Sequence, residues 1–186
     1  MRPELFGSAD FLQREMFARR VVFLTGQLDA TLAMQAAAQL MTLDAAGAAP
    51  IDVHVGCRDA TLEAALSVID TLDLLQAPTR GHARGEVGGP AVGLVAVCRQ
   101  RTAAPHAGFH LVEPKAQFAG PSGQIVAAAE QHQRLLDRFR ARLARATDQP
   151  EPEIAAAMRE GRHFSAQEAV DFGLIDAIAA RPGERQ

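Results

Sequence analysis

The sequence predicts an α/β fold with a largely parallel sheet, because strand signals and helix signals alternate along it. Val21-Val22-Phe23-Leu24-Thr25-Gly26 is an apolar, β-branched run closed by glycine, the form of a buried strand, and a helical period follows it. Ile51-Asp52-Val53-His54-Val55-Gly56 repeats the strand, and Leu62, Ala65, Leu66, Ile69 and Leu72 repeat the helix. A third unit has a more polar strand over residues 79–84, a glycine-rich turn over 85–90 and a helix over 90–97. In such a fold, ligand and catalytic positions belong on the turns after strands, here 26–29, 56–61 and 85–90.

Residues 1–18 mix charges with Leu5, Phe6, Phe11, Leu12, Met16 and Phe17 without a clean period, and read as an N-terminal arm that docks on something. A single domain is expected over 19–180. Asp29 is placed to cap the first long helix, whose Leu32, Ala36, Leu40 and Leu43 recur at helical spacing up to the break at 46–50. Cys57-Arg58-Asp59-Ala60 reads as a turn. Residues 99–107 read as a loop, and Gly108-Phe109-His110-Leu111-Val112 as a strand with a histidine in its middle. After an extended, Gly- and Pro-bearing stretch over 116–123, residues 124–147 form the longest helical pattern. Ile125, Ala129, Leu136, Phe139 and Leu143 lie on one side, and Arg134, Arg138, Arg142 and Arg145 on the other. A helix of that length is expected to project from the domain and to want a partner for its apolar stripe. A short helix over 153–160 follows. Ser165-Ala166-Gln167-Glu168 is a capping box for one more helix closed by Gly173, and 174–178 reads as a last short strand before a polar tail, 181–186.

With 186 residues, 48% of them hydrophobic, the chain has enough apolar material for one domain core. A net charge of −3 gives no basic face for nucleic acid, and the absence of Trp and Tyr removes stacking platforms. No apolar run is long enough to span a membrane, and the first residues start no signal-peptide pattern, so a soluble, cytoplasmic protein is expected. Cys57 and Cys98 have no metal-ligand spacing and read as reduced, buried thiols; no cofactor is expected.

The chemistry centres on Gly85-Glu86-Val87-Gly88-Gly89-Pro90-Ala91-Val92-Gly93. A glycine-rich turn opening a small-residue helix brings backbone close to a ligand. In hydrolases such a turn presents a nucleophile where the helix dipole favours developing negative charge. Here no Ser, Thr or Cys stands between Arg84 and Val97. The turn is present and its nucleophile is missing.

Four stretches resemble the ClpP family of self-compartmentalising serine peptidases, and the resemblance runs from about residue 17 to 179. They are Val22-Phe23-Leu24-Thr25-Gly26-Gln27-Leu28-Asp29; Ile69-Asp70-Thr71-Leu72; Gly120-Pro121-Ser122-Gly123-Gln124; and the long pattern His163-Phe164-Ser165-Ala166-Gln167-Glu168-Ala169-Val170-Asp171-Phe172-Gly173-Leu174-Ile175-Asp176. The resemblance implies a crotonase-like fold of repeated ββα units with a projecting handle at about 116–147. It also implies seven-membered rings that pair through the handles into a tetradecamer, homomeric or mixed with active ClpP-type subunits, and an AAA+ Clp unfoldase as partner. By the same resemblance the family's nucleophilic Ser falls on Gly89, its His on His110 and its Asp on Gly161, with Glu160 beside it. The two oxyanion-hole donors fall on Pro90, which has no N–H, and on the stretch around Asp59 and Ala60, where the family has glycines. Of the triad only His110 remains. The resemblance therefore implies a ClpR-type pseudo-peptidase, a member of a serine endopeptidase family that has lost its own activity.

The alternative is an active site rebuilt on another nucleophile, as a serine-type endopeptidase or another crotonase-fold acyl enzyme. Cys57 lies nearest as a substitute nucleophile, but burial as a small apolar residue is the simpler reading. Asp52, His54, Asp59 and His82 hold the residue types of a metal cluster, but strand alternation spreads them over faces.

Overall fold

In the computed structural model, which describes residues 9–180, the repeated units lay down two sheets. The larger is built from β1 (Val21–Leu28), β2 (Ile51–Ala60), β3 (Thr79–Ala83), β5 (Gln100–Ala103) and β8 (Ala177–Ile178), all parallel and in that spatial order. The smaller has β4 (Glu86–Gly88) parallel to β6 (Gly108–Leu111), which pairs antiparallel with β7 (Arg162–Ser165). The connecting helices are α1 (Ala9–Ala18), α2 (Ala30–Ala45), α3 (Leu62–Leu74), α4 (Val92–Ala96), α5 (Ser122–Thr147), α6 (Glu151–Glu160) and α7 (Ala166–Asp171). Parallel pairing requires crossover connections, and α2 and α3 supply the first two.

Strand alternation decides which face is buried. Along β2, Ile51, Val53, Val55 and Cys57 are fully buried, while Asp52, His54 and Gly56 between them remain half-exposed. The core continues through Leu24, Leu28, Ile69, Leu94, Phe109 and Phe139.

Local signals set the helix ends. Asp29 accepts the N–H of Leu32 at 2.9 Å, Thr61 accepts that of Ala64 at 3.3 Å, and Ser165 and Glu168 close both halves of the capping box. The Ser165 bonds hold the Glu168 carboxyl below its ordinary value. At the other end of α2, Arg20 donates to the carbonyls of Leu43 and Gly47 at 2.8 Å each, satisfying acceptors that the helix end leaves free.

Helix α5 has 26 residues and so extends about 39 Å. Its C-terminal half buries Leu136, Phe139 and Leu143, whereas Val126 near its start is 57% exposed. Phe139 can pack so closely because Gly93 has no side chain: a Cβ there would lie 2.7 Å from the ring. Arg142, expected on a solvated face, instead forms a two-point pair with Asp73 on α3 at 2.6 and 2.8 Å.

Several expectations are corrected. Residues 57–60 are not a turn: β1 runs on to Leu28, and its backbone holds β2 in strand form to Ala60 across a register irregularity at Gly26/Gln27. The expected loop 99–107 contains β5, a polar strand held between β3 and β8. The glycine-rich turn contains β4, and the helix expected over 90–97 begins as a 3-10 turn (Gly89–Ala91). Residues 162–165 form β7, and the expected last strand shrinks to two residues. Residues 9–18 are helical although no period was visible, because Phe17 packs on the core while Phe11 and Leu12 stay exposed, which spreads apolar residues around the helix. The first eight residues of the expected arm, and the polar tail 181–186, lie outside the described residues.

Arg101 ties the short β8 edge into place. Its guanidinium pairs with Asp176 and donates to the carbonyls of Ala146 and Gly173 at 2.7 Å each. Arg101→Ala is expected to lower stability by about 2–3 kcal/mol, since two carbonyls and a carboxylate lose a charged donor. In urea titration this shifts the midpoint with the slope unchanged; an unmoved midpoint contradicts the assignment.

Candidate functional site

The site forms where the end of β4 crosses the end of β2. Gly88 lies so close to that strand that a Cβ would stand 2.1 Å from the carbonyl oxygen of Arg58, so backbone meets backbone with no room for a side chain. Gly89 follows with φ of +55°, the left-handed turn a strand needs to enter a helix at once, and Pro90 takes the second position of the 3-10 turn, where its missing N–H leaves no bond unmade. Both are buried.

A side chain added at Gly89 would start 3.3 Å from Oδ1 of Asp59. The position on which the family resemblance places a nucleophile thus faces a carboxylate. The same Oδ1 accepts the N–H of Ala60 at 2.9 Å, and the N–H of Thr61 bonds the carbonyl of Leu28 at 3.0 Å. Those two amides are engaged, and Pro90 has none, so three backbone positions around the turn offer no free donor to an oxyanion.

His110 and Gly161 are brought together, though not as a base and its acid. His110 pairs with His163 across the β6–β7 ladder, and their rings stack at 3.9 Å with 6° between planes. Gly161 caps α6 with φ of +67°, just past the last ladder pair, Leu111–Arg162. A Cβ there would lie 3.4 Å from Nε2 of His110 and 3.6 Å from Cγ2 of Val112. Glu160 is exposed and makes no hydrogen bond or ion pair with His110 among the described residues. His163 was missed by sequence reasoning; once β7 is recognised as a strand, antiparallel register with His110 follows.

Cys57 lies on the core face of β2, where burial pushes its thiol up to about 11. Burial likewise pushes Cys98 to about 12, and its Sγ donates to the carbonyl of Leu94 at 3.2 Å. Neither is a thiolate near neutral pH.

A cleft of about 310 Å³ opens at Asp59, whose carboxylate also faces Gly89. Gln27, Asp59, Thr61 and Glu63 line one side, and Lys115, Phe118 and His132 come from the extended segment and α5. The Thr61 hydroxyl is the cleft's one hydroxyl among the described residues, and its oxygen is used as a helix cap.

Of the four residues weighed for metal, Asp52, His54 and His82 are not spread over faces as expected but share one sheet face, because Asp52 and His54 are two apart on β2 and His54 pairs with His82 on β3. His82 bonds Asp52 at 3.1 Å and Thr102 at 2.7 Å on the half-open sheet face, while Asp59 lines the cleft. Among the described residues, no group of three His, Cys, Asp or Glu could hold a metal ion, and no helix is long and apolar enough to cross a membrane.

On that sheet face Phe23, His54 and His82 share one cross-strand row, with rings stacked at 4.9 and 4.7 Å. Arg84 donates to Nδ1 of His54 at 2.8 Å. Burial, with His82 and Arg84 alongside, lowers His54 to about 4 from an ordinary 6.5.

Residues 7–182 match the family model described as Clp protease. The chain is similar to ATP-dependent Clp protease proteolytic subunit 1 of Nocardia farcinica (strain IFM 10152), 28% identical over 90% of this chain and 87% of the relative. It is also similar to proteolytic subunit 3 of Rhodococcus jostii (strain RHA1), 27% identical over 92% of this chain and 86% of that protein. With proteolytic subunit 1 of Mycobacterium leprae (strain TN) it shares 26% over 95% and 90%.

Two outcomes check this description. The native state keeps His54 neutral below its ordinary range, so the unfolded chain binds more protons between about pH 6.5 and 4, and stability falls as pH drops through that window. Below about 4 this group adds no further loss. The His54→Gln variant is expected to show a shallower acid loss, read as urea midpoints near pH 7 and pH 5; identical slopes contradict the assignment. Gly88→Ala is expected to unfold or distort the turn, because the clash is with backbone; a variant with wild-type thermal stability would contradict the close approach.

Proposed function

The chain belongs to the Clp protease family, and from that premise we propose that it is a non-catalytic, proteolytic-subunit-type member. In this reading it enters Clp rings, homomeric or mixed with active ClpP-type subunits, and changes how those rings act with their AAA+ unfoldase. The supporting observation is the geometry at Gly89: no nucleophile, Pro90 in place of a donor, and the Asp59 carboxylate 3.3 Å from where a nucleophile would emerge.

Acyl transfer through a tetrahedral intermediate puts negative charge on an oxygen. Losing one hydrogen-bond donor to that oxygen costs about 3 kcal/mol, and losing triad members costs several orders of magnitude in rate. Here the deficits accumulate, and a carboxylate within a few ångströms of a developing oxyanion adds repulsion. On the acid side, Gly161 has nothing to orient an imidazole, and His110 stacks on His163.

The exposed start of α5 supports ring pairing as the assembly mode. A cut removing all of 124–147 would also remove Leu136, Phe139 and Leu143 from the core, so the cleaner variant is Val126→Glu. It is expected to halve the assembled mass in sedimentation while the fold persists; unchanged mass counts against handle pairing.

The reading is tested by turnover of a fluorogenic peptide and of unfolded casein, by the protein alone and then mixed with an active ClpP-type subunit from the same genome. No turnover alone, with altered activity in a co-assembled mixture, is the expected result. Turnover alone overturns the proposal. Gly89→Ser is expected to remain inactive, because the hole and the acid are still absent; recovery of cleavage by that single change would show that only the nucleophile was lost.

A further inference from the structure

The cleft at Asp59 holds charges the non-catalytic reading does not use. Asp59 and Glu63 line one side, Lys115 and His132 another, and among the described residues neither carboxylate has an ion-pair partner. Neighbouring charges do pair: Arg58, adjacent in sequence to Asp59, points instead to Glu86 at 3.0 Å. The Asp59 carboxylate is fixed in orientation by the Ala60 N–H at 2.9 Å and faces the space that the missing side chain at Gly89 leaves open. Gln27 adds an amide, and Phe118 an apolar wall for an alkyl stem.

Resting on the non-catalytic reading, we infer that this cleft retains polypeptide without cutting it and selects segments that place a basic side chain against Asp59. A guanidinium suits the position: it is planar, always charged, and can take a carboxylate and a neighbouring amide oxygen together. Asp59 is then a specificity-determining residue, and the carboxylate that opposes an oxyanion is the group that holds the cation.

The test uses the full-length protein and two fluorescein-labelled decapeptides of Gly, Ala and Ser. One carries a central arginine and the other citrulline, which keeps the shape and removes the charge. Fluorescence anisotropy at low salt is expected to show the arginine peptide bound about fivefold tighter, with the difference shrinking as salt is added. Asp59→Asn, which keeps an oxygen for the Ala60 N–H, is expected to abolish the preference without altering the far-UV circular dichroism. Equal binding of the two peptides, binding of neither, or a preference that survives in Asp59→Asn overturns the inference. Mass spectrometry of the same samples separates the two readings: cleaved peptide overturns the non-catalytic assignment, whereas intact peptide bound without charge preference overturns only the role of Asp59.

Discussion

The contact on which the site depends is a backbone-on-backbone crossing: the last residue of β4 lies against the carbonyl of Arg58 near the end of β2, at a distance that excludes even a methyl group. From it follow the left-handed turn at Gly89, the immediate start of the 3-10 turn and α4, and the placement of Asp59 under the turn. The strand–turn–helix geometry that holds a nucleophile in a hydrolase is thus present, and on the non-catalytic reading proposed above the groups that would make it react are gone. Scaffold and chemistry are separable because the crossing needs only small residues and main-chain atoms, and both survive here.

On that reading the chemistry is reversed as well as removed. A hydrolytic site would point N–H dipoles at the place where charge forms. Here the amides of Ala60 and Thr61 are bonded within the fold, Pro90 contributes none, and a carboxylate occupies the approach. Each feature is local and compatible with the buried core around it. The inactive reading therefore requires no distortion of the fold.

Much of this was legible in the sequence, for identifiable reasons. Strands β1 and β2 announce themselves because one face is buried and alternation or β-branching shows it; α2 and α7 because Asp29 and Ser165 cap them, and α3 because its apolar residues recur at helical spacing. Strands β5 and β7 were illegible because they are short and polar and owe their form to pairing with neighbours distant in sequence. Residues 57–60 read as a turn for the same reason: only the continuation of β1 to Leu28 extends β2 that far. At the site, the glycine-rich turn and its lack of a hydroxyl or thiol could be read from residue type, whereas Gly89, Pro90 and Asp59 were singled out by the family resemblance. The stacking of His163 on His110, and the walls that Lys115 and His132 give the cleft, depend on tertiary pairing that no local period encodes.

The most direct test of the central claim is intact-mass spectrometry of the assembled protein after prolonged incubation with diisopropyl fluorophosphate, which phosphorylates an activated hydroxyl whatever its position in the sequence. The account predicts no covalent adduct, because among the described residues no hydroxyl in the cleft is served by a base. A stoichiometric adduct, wherever peptide mapping placed it, would mean that the chain had rebuilt a nucleophile, and the non-catalytic assignment would be wrong.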